Sequence, residues 1–121
     1  VEAALRSYML AVANDPKSAE KHARLGKFFQ TTRQFTEAKK SYMNALNLDS
    51  TNVQALVGIA HIGDLKEAKK MLQKAAKLRP SEVQIHANLG NSYLRLGEHK
   101  KAATSFKKAI KLQPKSVELY A

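Results

Sequence analysis

Apolar residues recur at i, i+3, i+4 and i+7 along most of the chain, the spacing of one helical face. Short polar stretches interrupt the pattern, and the runs between them predict helices at 2–13, 18–31, 35–48, 52–62, 64–78, 82–96 and 98–112. The polar stretches carry their own signals. Asp64 stands where a carboxylate can accept the orphan backbone N–H groups of a following helix. Ser81 with Gln84 three residues on reads as a capping box. Pro16, Pro80 and Pro114 cannot continue the helices before them.

The same pattern is written repeatedly. Ala4, Ala38, Ala68 and Ala102 fall at intervals of 34, 30 and 34 residues. Four residues after each comes a large apolar residue, Tyr8, Tyr42, Leu72 or Phe106. Three further on stands another alanine, Ala11, Ala45, Ala75 or Ala109, and five beyond that a terminator, Pro16, Ser50, Pro80 or Pro114. A second pattern precedes the last three copies: Leu25-Gly26, Ile59-Ala60 and Leu89-Gly90 each follow His22, Leu56 or His86 by three residues. Each unit is therefore two amphipathic helices joined by a short turn. The alanines let two backbones approach, and the larger residue beside them fills the gap. Gly90 fits such close packing, and Gly97 a helix stop.

This arrangement resembles the tetratricopeptide repeat. Residues 83–116 match it best, through His86, Leu89, Gly90, Tyr93, Ala102, Phe106, Ala109 and Pro114. Residues 19–52 match through His22, Leu25, Gly26, Phe29, Ala38, Tyr42, Ala45 and Ser50, and a shortened copy at 53–82 through Leu56, Ile59, Ala60, Ala68, Leu72, Ala75 and Pro80. Residues 1–16 resemble the second helix of an earlier repeat, and 117–121 the start of a further one. The resemblance implies an all-α fold, a right-handed superhelical solenoid of antiparallel helix pairs, forming a single array over 1–121. One helix pair cannot bury its apolar face alone. The chain is thus read as part of a longer solenoid, or as one whose ends are covered by a partner or by self-association. The short interval puts a deficit of four residues, about one helical turn, between Ile59 and Gly63. Two readings stand: a shortened helix that dents the solenoid, and a sequence from which four residues are missing.

Composition narrows the chemistry. At 121 residues the chain suits one domain or a short repeat array. There is no cysteine, which excludes disulfides and thiolate metal sites and fits a reducing compartment, the cytoplasm being the expected one. No apolar run approaches the roughly 20 residues of a membrane span. The first ten residues have neither the basic leader nor the cleavage site of a signal peptide, and the missing initiator Met suggests a fragment or processed product. The four histidines form no converging ligand set. His22 and His86 occupy one repeat position and read as packing residues, His61 and His99 as surface residues. No Ser/His/Asp set is legible, and "LGNSYLRLG" lacks the ending and preceding strand of a phosphate loop. Neither catalysis, a cofactor nor a metal is expected.

Charge adds a second candidate surface. The net charge is +11, and it is uneven: residues 61–121 carry 13 basic and 5 acidic groups, residues 1–60 only 8 and 5. The excess lies in second helices, where lysines flank the packed alanines and should point outward. The resemblance implies that second helices form the convex side. Lys70, Lys74, Lys101 and Lys108 are then a basic convex surface, either simply solvated or attractive to nucleic acid, an anionic surface or an acidic protein. Tyr42 and Phe106 belong to the core pattern, which disfavours base stacking.

The resemblance also implies a concave groove lined by first helices. The inward positions are Glu20, Ala23, Arg24, Lys27 and Gln30, then Gln54, Val57, Gly58 and His61, then Gln84, Ala87, Asn88, Asn91 and Leu94. Arg24 and Lys27 can hold a carboxylate or phosphate, and the amides can bond an extended peptide backbone. The leading expectation is a non-catalytic scaffold that holds a partner peptide or helix through Arg24, Lys27, Gln30, Gln54, His61, Gln84, Asn88 and Asn91. Two alternatives are the basic convex face and a substrate-recruiting segment of a larger enzyme. The carboxylate clamp of chaperone-binding relatives is not implied: where it needs Lys and Asn, this chain has Ala23 and Lys27, or Val57 and His61, and only Asn88 fits.

Overall fold

The computed structural model describes residues 2–112. Among them are seven helices and no strand: α1 (Glu2–Asn14), α2 (Ala19–Thr31), α3 (Phe35–Leu48), α4 (Val53–Ile62), α5 (Leu65–Leu78), α6 (Val83–Arg95) and α7 (His99–Leu112). Every expected helix is present, with ends within one residue. Several expected starts are in fact caps. Ser18 accepts from Lys21 N, Asn52 from Ala55 N at 2.9 Å, and Asp64 from Glu67 N at 2.8 Å. The capping box at Ser81 does not form. The cap residue of α6 is Glu82, which makes no side-chain cap bond; its carboxylate instead pairs with Arg79 at 3.5 Å. The start of a further repeat at 117–121, and Pro114, lie outside the described residues.

Two turns repeat one geometry. After α2, Gln34 N donates to Phe29 O at 2.8 Å, with Arg33 at φ 64°. After α6, Glu98 N donates to Tyr93 O at 2.8 Å, with Gly97 at φ 81°. This six-to-one closure around a left-handed residue is the Schellman stop. A Cβ added to Gly97 would meet nothing within 4 Å, so the backbone angle alone accounts for glycine there. Arg33 holds the same angle with a side chain. The turn between α4 and α5 is shorter: α4 has 10 residues where α2 and α6 have 13, and two turn residues follow it instead of three. The deficit of four is thus three helical residues and one turn residue.

The chain divides into two compact units, Val1–Ile62 and Gly63–Ala121. In the first, α3 packs against α2 and α4, α2 also touches α4, and α1 lies on α2. The Tyr8 and Phe28 rings meet there, with centroids 5.4 Å apart. The centre of this unit is Tyr42, fully buried on α3. Its ring lies against Gly26 of α2 and Gly58 of α4. A Cβ on Gly26 would come within 2.7 Å of Tyr42 Cδ1, and one on Gly58 within 2.5 Å of Cε2. The Tyr42 hydroxyl donates to Gln30 Oε1 at 2.6 Å. Burial pushes its pKa up to about 12.

In the second unit α6 packs on both α5 and α7. Leu72, Ala75, Ile85, Leu89 and Ala102 are buried between them. Gly90 faces Phe106 as Gly26 faces Tyr42, but Phe106 is only half-buried. The alanine seam holds in both units: Ala38, Ala45, Ala68, Ala75, Ala102 and Ala109 are all buried, whereas Ala4 on α1 is exposed. His22 and His86 do more than pack. Each gives Nε2 to a proline carbonyl six residues back, Pro16 O at 2.8 Å and Pro80 O at 2.7 Å. The carbonyl only accepts, so Nε2 carries the proton. Where Ser50 replaces the proline, Leu56 replaces the histidine.

Four substitutions have expected outcomes. Gly58→Ala should cost roughly 1–3 kcal/mol through overpacking against an immobile ring, outweighing the ~1 kcal/mol helix preference of Ala over Gly. Gly90→Ala should be near neutral, because half-exposed Phe106 can yield; an equal loss at both sites in urea denaturation would refute this account. Arg33→Gly should raise stability by roughly 0.5–1 kcal/mol, since relief of the left-handed backbone exceeds the added unfolded-state entropy. Finally, the unfolded chain releases the Tyr42 proton near pH 10, before the folded chain does. The stabilisation is complete below pH 10 and declines as pH rises towards about 12. Tyr42→Phe should remove that component of the alkaline loss and the late phase of phenolate absorbance.

Candidate functional site

The first helices each leave one polar stripe in solvent. On α2 it runs through Glu20, Arg24, Lys27 and Thr31, all exposed, while Leu25, Gly26 and Phe29 are buried. Arg24 pairs with Glu20 one turn back, which limits the rotamers it can sample. Gln30 lies at the edge of the stripe, half-buried, with its amide oxygen held by the Tyr42 hydroxyl. Its amide nitrogen is the donor it can offer a partner. On α4, Gln54 and His61 are exposed. Two of the expected groove positions are not surface at all. Ala23 is fully buried, and Gly58 lies against the ring of Tyr42 on α3.

In the second unit the matching stripe runs along α6. Gln84 and Asn91 are exposed and Asn88 is half-buried. Gln84 Nε2 donates to Asn88 Oδ1 at 3.0 Å. The pairs Glu20–Arg24 and Gln84–Asn88 occupy the same place in the repeat, so an ionic link in one unit becomes an amide link in the other. The structure therefore brings Arg24, Lys27, Gln54 and His61 onto outward faces of the first unit, and Gln84, Asn88 and Asn91 onto one of the second.

The lysines singled out by charge, Lys70 and Lys74 on α5 and Lys101 and Lys108 on α7, are all exposed. Lys101 and Lys108 also border a cleft of about 410 Å³. Its floor is Ala76 of α5 with His86, Leu89 and Tyr93 of α6; its wall on α7 carries Lys100, Lys101, Thr104, Ser105 and Lys108. Beside it Glu98 accepts from Lys69 Nζ at 3.1 Å and from Lys101 Nζ at 3.4 Å. The Lys69 ammonium first, then Lys101, holds the Glu98 carboxyl below the usual carboxylate range. Sequence reading found two of the wall lysines but not the cleft, whose floor comes from residues on two other helices. Among the described residues no three His, Asp or Glu side chains converge as metal ligands, and no helix is long and apolar enough to cross a membrane.

Three family models match in sequence: tetratricopeptide repeat models at residues 22–52 and 83–116, and a TPR repeat model at 60–97. The chain belongs to the tetratricopeptide repeat (TPR) family. Its all-helical fold is that of a TPR solenoid, and such repeats act as protein-interaction scaffolds. Solved structures agree. A crystal structure of MamA is 27% identical, with a TM-score of 0.83 over 93% of this chain and 68% of that one. A double mutant of MamA RS-1 is 22% identical, with a TM-score of 0.83 over 95% of this chain and 67% of that one. A further MamA structure, 21% identical, covers 97% of this chain and 66% of its own, with a TM-score of 0.80. The last two likenesses speak for the fold alone. No curated protein matches the sequence.

Proposed function

We propose that this TPR chain is a non-catalytic scaffold that holds a segment of a protein partner on the outward faces of its first helices. The observation that carries the reading is the repeated polar stripe. Arg24 and Lys27 on α2 and Asn88 and Asn91 on α6 fall at equivalent positions, on helices whose opposite faces are committed to packing. Neighbours on the same helix restrain two of the four. Glu20 holds Arg24 and Gln84 holds Asn88, so less side-chain entropy is lost on binding. Arg24 and Lys27 supply charge for a carboxylate or phosphate of the partner. Gln54, Gln84 and Asn91 supply donors and acceptors for its backbone, and the Gln30 amide nitrogen and His61 flank them.

The test compares the unaltered chain with two variants by affinity capture and mass spectrometry, followed by calorimetry with a peptide from the captured protein. One variant carries Arg24→Ala, Lys27→Ala, Asn88→Ala and Asn91→Ala. The other reverses Lys70, Lys74, Lys101 and Lys108 to Glu. The expected result is a peptide whose affinity falls at least tenfold, about 1.4 kcal/mol, in the first variant and little in the second. Capture in which no partner at all is lost by the first variant would overturn the reading, whatever the charge-reversed variant loses.

A further inference from the structure

We infer that the cleft between α5 and α7 in the second unit is a separate docking site, and that its occupant is an acidic peptide segment with an apolar anchor residue. Three observations lead there.

The floor offers mostly carbon. Leu89, His86 and Tyr93 are buried beneath it, and each of the last two spends one hydrogen bond within the fold. His86 Nε2 is on Pro80 O at 2.7 Å, and the Tyr93 hydroxyl accepts from Gln73 Nε2 at 2.9 Å. Ala76 carries only a methyl, which leaves the space open. A volume of about 410 Å³ lies at the low end of ligand pockets. It has room for one or two large side chains but not for a helix.

The wall is cationic, and among the described residues its charge is only partly neutralised. Lys101 shares the single Glu98 carboxylate with Lys69. Among the described residues, Lys100 and Lys108 have no carboxylate within salt-bridge distance. Lys101 and Lys108 are two helical turns apart, about 10 Å along α7, a distance spanned by about three residues of extended chain. Carboxylates three residues apart, one on each side of the apolar anchor, match that spacing.

The charge is also specific to this unit. At the equivalent places on α3 stand Thr36, Glu37, Lys40 and Asn44, where α7 has Lys100, Lys101, Thr104 and Lys108. The α3 set is neutral overall and the α7 set carries three positive charges. The repeat's packing therefore does not demand the lysines. Nucleic acid fits less well. The Tyr93 ring is buried and has the Lys101 ammonium 5.9 Å from its centroid, so it offers no open face for a base.

The experiment titrates labelled peptides into the full chain by fluorescence anisotropy. The probe is a short Glu/Asp-rich peptide with one central Phe. Its controls are the same peptide with Ser for Phe, the same peptide with Gln and Asn for the acids, and an oligo-dT strand of equal charge. The first peptide should bind, and each control at least about tenfold more weakly. Lys100→Glu with Lys108→Glu, both on the surface, should lower affinity at least tenfold with unchanged thermal melting. Ala76→Phe, which fills the floor without altering charge, should do the same. Methyl resonances of Ala76 and Leu89 should shift on titration. Equal binding of the Phe-free peptide or of oligo-dT, or unchanged affinity in the lysine variant, would overturn the inference.

Discussion

The contact between the Tyr42 ring and the two glycines opposite it organises the first unit. A helix presents side chains on every face, so three helices can close around one ring only where the facing residues have none. Gly26 and Gly58 meet that condition from α2 and α4. The cost of burying a phenol is offset by its bond to Gln30, since a buried donor without a partner would be expensive. The same contact then shapes the surface. It removes Gly58 from solvent and uses half of the Gln30 amide, so the outward polar stripe is whatever this packing leaves over.

The repeats meet one packing problem with different residues, and the differences show what each position is for. Gly97 and Arg33 adopt the same left-handed backbone, so the turn requires the angle and glycine is only its least strained occupant. Both His–Pro pairs tie the incoming turn to the helix that follows, and Leu56 with Ser50 replaces the pair once. Positions that packing does not claim diverge freely. Glu20–Arg24 becomes Gln84–Asn88, and a neutral wall on α3 becomes a cationic one on α7. The variation falls on surface that the core does not use.

Much of the fold was legible in the sequence because its signals are local. The period of the apolar residues sets the helices, Asp64 caps one of them, and the repeated alanines mark the seam between paired helices. The outward lysines followed as well, since a residue beside a packed alanine on a helix must face away from the partner. The capping box at Ser81 misled because sequence spacing does not say which residue leaves the helical path first. Glu82 does, and its carboxylate turns to Arg79.

The sequence by itself therefore determined the helices, their pairing and the family, because each depends on spacing within about one repeat. The tertiary structure alone decided what joins residues far apart along the chain. It took Ala23 and Gly58 out of the groove, assigned the oxygen of Gln30 to Tyr42, and set Ala76 and Leu89 beneath Lys100 and Lys108. Helical periodicity says which face a residue occupies. Only packing between helices says what that face meets.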